Sequence, residues 1–132
     1  MSESKFQTEL LKALKEKFKE HFIYNCSDRF TSGIPDILLC RKGVFTALEL
    51  KYNDGRPTKL QLRNIRNIQH SGGYSCVLRL KEGKYKLENE NDIFKNYVKE
   101  YITMEDLLNG LEDRICTTLW SQHSLYSALY SD

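Results

Sequence analysis

No apolar run in the chain approaches the ~20 residues that cross a bilayer. Its first residues, MSESKFQTELLKALKEKFKEHF, are polar and charged rather than those of a secretory leader. Neither a membrane span nor a signal peptide is expected. Four cysteines, Cys26, Cys40, Cys76 and Cys116, occur without a CxxC spacing, which favours neither a zinc site nor a disulfide framework. Three of them fall inside strand-like runs, where a thiol behaves as a small buried hydrophobe, and a reducing, cytoplasmic setting is expected. The histidines, His21, His70 and His123, are too scattered to form a site, and no serine or cysteine sits in a nucleophile motif. No repeat or low-complexity linker divides the chain, and nothing in it calls for a small-molecule cofactor.

What is present is enough for one domain with a core of its own: 132 residues, 40% hydrophobic and 11% aromatic. The net charge of +2 is unevenly placed. Residues 1–87 carry 17 Lys and Arg against 9 Asp and Glu, whereas residues 88–132 carry 3 against 9. A basic body with an acidic tail suits a polyanionic partner bound by the body, and equally suits two differently solvated faces.

In SESKFQTELLKALKEKFKEHF, Phe6, Leu10, Leu14 and Phe18 recur every fourth residue, with Leu11 and Phe22 beside them. The pattern predicts an amphipathic helix capped by Ser2 or Ser4. FIYNCS, DILLC and VFTALELK then read as strands separated by turn formers. PTKLQLRNIRNIQHSGG reads as a helix with Pro57 near its start and Gly72 and Gly73 as its stop. YSCVLRL and KYKLEN form a hairpin, which gives the order α-β-β-β-α-β-β. Beyond Asn91 the pattern weakens. TMEDLLNGLEDRI looks helical, and LWSQHSLYSALYSD forms another helix with Leu119, Trp120, Leu125 and Leu129 apolar.

The segment SGIPDILLCRKGVFTALELKYN carries the chemistry. If Lys42 and Gly43 close a two-residue hairpin, Arg41 faces Val44, Cys40 faces Phe45, Leu38 faces Ala47, and Asp36 faces Glu49. Opposed carboxylates are destabilising unless something neutralises them. Both faces of the pair are apolar and are expected to be covered, which sharpens the repulsion. Period-two geometry puts Lys51 on the face of Glu49, with the Leu50 carbonyl between them. Hard oxygen donors without His or Cys suit Mg²⁺ or Mn²⁺, and an adjacent lysine can orient a water or offset phosphate charge. The same three side chains also make a metal-free ion network, and the residues alone leave both readings open.

GIPD, followed after thirteen positions by ELK, resembles the PD-(D/E)XK nuclease superfamily. The TKLQ helix ending in SGG before YSCVLR is similar to its VRR-Nuc branch, the virus-type replication-repair nucleases, whose standalone members resemble Holliday-junction resolvases. The likeness spans roughly residues 5–80. It implies an α/β fold with a restriction-endonuclease-like αβββαβ core, a central mixed sheet flanked by helices, and here a C-terminal helical extension. Residues 1–90 would form the nuclease core, and residues 91–132 the extension, packing on the core or mediating oligomerisation. By the resemblance, Asp36, Glu49 and the Leu50 carbonyl would bind the metal and Lys51 would position the attacking water. Glu9 would be the first-helix acid near the metal's water shell, and Gln61 the second-helix glutamine, facing inward on a line with Ile65 and Ile68.

Lys59, Arg63 and Arg66 form a basic stripe on the second helix, with Arg56 before it and Arg29 in the loop leading to the acids. These are expected to grip phosphates flanking a cut. None of them reads base sequence, which favours recognition of DNA shape. The expected activity is Mg²⁺-dependent hydrolysis of DNA, at branched structures such as Holliday junctions, and the resemblance implies a phage or bacterial setting in replication, recombination or repair. A non-catalytic DNA-binding or assembly module on the same fold, and a sequence-specific restriction-type endonuclease, are the alternatives. Paired cuts across a junction need two active sites, so a homodimer is expected. Leu119 to Tyr130 would supply its contact, or fold back on the core.

Overall fold

The computed structural model describes residues 2–19, 22–26, 33–89 and 97–130, with the side chains of residues 97 and 123–130 outside that description. Helix α1 (Glu3–Lys17) starts where the sequence places it, since the Ser2 hydroxyl accepts the Lys5 N–H at 3.1 Å. Its stripe of Phe6, Leu10 and Leu14, continued by Phe18, is fully buried. Phe22 departs from that stripe, because the chain has already become strand β1 (Phe22–Asn25) and points this ring away from the core, 65% exposed.

Strands β2 (Ile37–Arg41) and β3 (Val44–Tyr52) form the expected hairpin in the expected register, with Arg41 opposite Val44, Cys40 opposite Phe45 and Leu38 opposite Ala47. Lys42 and Gly43 have φ of 53° and 77°. Two consecutive positive φ values match the right-handed twist of the flanking strands, and glycine adopts one of them without steric cost. Helix α2 (Lys59–His70) crosses to β4 (Tyr74–Lys81), which turns through Glu82 and Gly83 into β5 (Lys84–Asn89). The sheet runs β1 to β5 in sequence order and gains a sixth strand, β6 (Tyr97–Tyr101). β3 and β4 pair in parallel and all other neighbours are antiparallel.

Beyond residue 90 the expectation of helices alone is corrected by β6, and the two expected helices are one, α3 (Met104–Tyr130). In Tyr-Val-Lys-Glu-Tyr the apolar residues do not alternate with polar ones, and the adjacent charges of Lys99 and Glu100 suit a sheet edge. Leu107, Leu108, Leu111 and Ile115 of α3 are buried with α1 against one face of the sheet, over Ile37, Leu39, Leu48, Leu50, Cys76, Leu78, Leu80 and Leu87. Arg41 and Lys42 tie the same helix down through Glu112, at 3.3 and 2.9 Å. Among the described elements, helix α2 covers the opposite face and sits mainly over β3 and β4. Towards β1 and β2 that face is open, contrary to the expectation that both sides are covered. Phe22, Tyr24 and Phe45 are 65%, 46% and 48% exposed there, and Cys40 is exposed rather than core. Cys26 and Cys76 are buried as expected, Cys116 is half-buried, and all four thiols are free. No helix among the described residues is long and apolar enough to cross a membrane.

Candidate active site

The turn into β2 is built against α2. Gly33 has φ +83°, a conformation that L side chains rarely adopt, and a Cβ there would run into the Leu60 side chain, so the close approach of loop to helix favours glycine. Asn64 of α2 donates its amide N–H to the Gly33 carbonyl at 2.7 Å, and Pro35 is buried behind it. Asp36 follows, held at both ends. Its backbone carbonyl accepts the Cys26 N–H at 2.6 Å, and its carboxylate Oδ2 accepts the Leu50 N–H at 2.8 Å. The side chain thus continues the β2–β3 ladder just past Ile37 and Leu48, the last register pair. It enters β3 between Glu49 and Lys51.

Glu49 lies on the face covered by α2 and is only 2% exposed. Its Oε1 stands 3.6 Å from Lys51 Nζ, and its Oε2 is buried with no hydrogen-bond partner. Burial raises its pKa most, the neighbouring Asp36 charge raises it further, and Lys51 opposes both, leaving the carboxyl at about 8. The structure therefore brings Asp36, Glu49 and Lys51 together. A buried carboxylate oxygen without a partner, beside a second carboxylate, is a donor set that fits a hard divalent cation. The described residues contain no group of three or more His, Cys, Asp or Glu arranged around one point.

The other expected site residues fall elsewhere. Glu9 is half-buried on α1, against the opposite face of the sheet from Glu49, and stands beside Tyr85, whose hydroxyl is raised above its ordinary pKa by burial first and by Glu9 second. Gln61 is half-buried, but its side-chain oxygen accepts the Thr58 N–H at 2.9 Å while Thr58 Oγ1 accepts the Gln61 N–H at 3.1 Å. Its amide oxygen belongs to a capping box that starts α2. Lys59, Arg63 and Arg66 are exposed on α2, and Arg56 is exposed just before it. Arg29 lies outside the described residues.

Arg79 and Glu88 were not singled out from the sequence. Arg79 Nε donates to both Glu88 oxygens at 2.7 and 3.0 Å, while Nη1 donates to the carbonyls of Asn53 and Gly55 at 2.7 and 2.6 Å. It pins the loop that leads from Lys51 to α2, in which Asn53 takes φ +54°. The signal was available in the hairpin count. A turn at Glu82 and Gly83 places Val77 opposite Glu88 and Arg79 opposite Lys86, so Arg79 and Glu88 are diagonal neighbours.

The raised Glu49 carboxyl has a measurable consequence for the metal-free protein. A folded pKa near 8 against an ordinary 4.5 means that the native state binds more protons than the unfolded state between those values. This contribution to stability is fully present below pH 4.5 and is lost as pH rises through about 8. In EDTA, Glu49→Gln is expected to flatten the decline and to raise the melting temperature at pH 8.5. Retention of the full decline, with a lower melting temperature, would instead make Glu49 and Lys51 a stabilising ion pair.

No protein-family model and no curated protein matches the chain. Among solved structures it is similar to Hjc, a Holliday junction resolvase of the archaeal hyperthermophile Archaeoglobus fulgidus. The TM-score is 0.51 at 15% identity, over 74% of this chain and 87% of that one. It is also similar to a VRR_NUC domain, with a TM-score of 0.44 and 26% identity over 56% of this chain and 83% of that one. With its mixed six-stranded sheet flanked by helices, the chain has the restriction-endonuclease-like fold of the archaeal resolvase.

Proposed function

We propose that this chain is a metal-dependent DNA endonuclease that hydrolyses phosphodiester bonds and selects branched structures such as four-way junctions. One observation carries the reading: Asp36, Glu49 and Lys51 converge, with a buried Glu49 oxygen that has no partner. The fold is compatible with it, and the archaeal resolvase of the same fold is described as acting on Holliday junctions. Asp36, Glu49 and the Leu50 carbonyl would hold Mg²⁺, with Mn²⁺ as a substitute. A cation held there would offset the negative charge that develops on the phosphate and would lower the pKa of a water.

The remaining work falls to the chain. The Leu50 N–H fixes the Asp36 carboxylate so that it does not rotate away. Glu49 would serve as a ligand in its deprotonated form, and its burial would limit competing water. Lys51, whose side chain is 18% exposed, orients the attacking water and balances charge on the phosphate. Water adds to phosphorus and loses a proton to solvent, one P–O ester bond breaks, and the leaving oxygen takes up a proton from solvent, which leaves a phosphate monoester and a hydroxyl. Arg56, Lys59, Arg63 and Arg66 hold flanking phosphates, which positions the backbone and carries no sequence information.

A homodimer belongs to the same proposal, since paired cuts across a junction need two sites. Two exposed apolar surfaces are available to a second copy: Trp120 on α3, 68% exposed, and the Phe22, Tyr24 and Phe45 face of the sheet. Equilibrium sedimentation is expected to give a dimer at micromolar concentration, and a strict monomer that still makes paired cuts would contradict it.

The activity is tested on labelled linear, flapped and four-way DNA, with Mg²⁺ and with EDTA. Cleavage of the four-way substrate is expected with Mg²⁺ alone. Asp36→Asn and Glu49→Gln are expected to remove it while leaving the fold intact, and Lys51→Ala to lower the rate by about 10²-fold or more while DNA is still bound. Undiminished cleavage by Lys51→Ala would remove Lys51 from the mechanism. Cleavage by both carboxylate variants would place the chemistry elsewhere.

A further inference from the structure

The face of the sheet that carries Glu49 and Lys51 does not end at β3. Register pairs Lys51 with Arg79, Arg79 with Lys86 and Lys86 with Glu100, so these side chains form one row across β3, β4, β5 and β6. Glu49, Val77, Glu88 and Val98 form the row beside it. Over β4 to β6 this charged face floors a groove of about 690 Å³, walled by Leu62 of α2 and closed at one end by the loop from Asn53 to Pro57. Its lining brings in four cations, Arg56, Arg79, Lys81 and Lys86, against two carboxylates, Asp54 and Glu88. With about 100° of turn per helical residue, Arg66 lies about 40° and Lys59 about 60° round α2 from Leu62. The basic stripe therefore stands on the solvent side of the same wall.

The cations divide by what holds them. Arg79 is committed to Glu88 and to the loop carbonyls, at 14% exposure, and serves as the fixed floor. Lys81 is paired at 2.6 Å with Asp54, which is 84% exposed, and Lys86 at 3.3 Å with Glu100, which is 50% exposed. Pairs between solvated groups contribute little, so phosphate oxygens can replace those carboxylates at small cost.

We propose that this groove is a second phosphodiester-backbone site, in which Lys81, Lys86 and Arg56 hold the DNA arm that leads away from the Asp36, Glu49 and Lys51 centre. The inference rests on the nuclease reading and extends it from the helix stripe to the far half of the sheet. A backbone held at both places runs past the loop from Asn53 to Pro57, with the scissile phosphate at Lys51 and the phosphates of the outgoing arm at Lys81, at the end of β4, and Lys86 on β5. The exposed edge strand, with Val98 at 61% exposure on the rim, leaves the groove open for a duplex arm to exit.

The test uses the full chain in EDTA and a labelled four-way junction, with binding measured by anisotropy between 50 and 300 mM salt. The double variant Lys81→Gln, Lys86→Gln is expected to lower the slope of log affinity against log salt by about 1.8, at about 0.9 for each phosphate no longer neutralised, and to bind tens of fold more weakly near 0.1 M. Val98→Glu, which removes no cation and sits in solvent, is expected to weaken binding several-fold by placing a negative charge on the rim. It keeps the test decisive if the double variant misfolds. Wild-type slope and affinity in the folded variants would overturn the groove while leaving the nuclease reading in place, provided that wild-type protein binds and cuts DNA. A wild-type chain that binds no DNA overturns both.

Discussion

A carboxylate buried to 2% exposure, with one oxygen unpartnered and a second carboxylate alongside, is what the middle of this sheet has to accommodate. Left charged, Glu49 would carry a desolvation penalty and the repulsion of Asp36, and Lys51 at 3.6 Å offsets only part of it. The protein responds by holding Glu49 protonated near neutral pH and by locking Asp36 to the Leu50 N–H instead of letting it turn to solvent. An arrangement that is costly in the metal-free state, and that a cation would relieve, is what the proposed metal centre requires.

The rest of the fold can be seen as support for that spot. The parallel pairing of β3 with β4 requires a crossover, and α2 supplies it while bringing a basic helix to the C-terminal end of β3. Capping by Thr58 and Gln61 fixes where this helix begins, and Gly33 lets the Asp36 loop come up against it. Arg79 and Glu88 then pin the loop between Lys51 and the helix. On the opposite face, α1 and the first half of α3 bury the leucine and phenylalanine core that keeps the strands in register. Shifting β3 by one residue would send Glu49 into that core and Leu50 to the acid face, so the register is strongly specified.

Much of this was legible in the residues, because the signals were local. The Lys42-Gly43 turn dictates the β2–β3 register and hence the meeting of Asp36 with Glu49, and the four-residue spacing from Phe6 to Phe18 dictates the buried face of α1. What escaped was set by distance. Strand β6 is short and lies against β5 at the edge, so its pairing depends on a partner that the local pattern does not name. The exposed Phe22, Tyr24, Cys40 and Phe45 look like core residues in a strand pattern, yet α2 lies mainly over β3 and β4 and leaves them exposed. Gln61 was legible in another way: Thr-x-x-Gln ahead of an apolar helix is itself a capping signal, and that local role, rather than an inward partner, is where its oxygen goes.

Calorimetric titration of the wild-type chain with Mn²⁺ in buffers of different ionisation enthalpy tests most directly whether the acid pair is a metal centre. A carboxyl that titrates near 8 must lose its proton to become a ligand. Binding at pH 7 is therefore expected to release close to one proton per protein chain, falling towards zero at pH 9, with both the binding and the release abolished in Glu49→Gln. Absence of binding, or binding at pH 7 that releases no proton and survives in Glu49→Gln, would contradict the assignment.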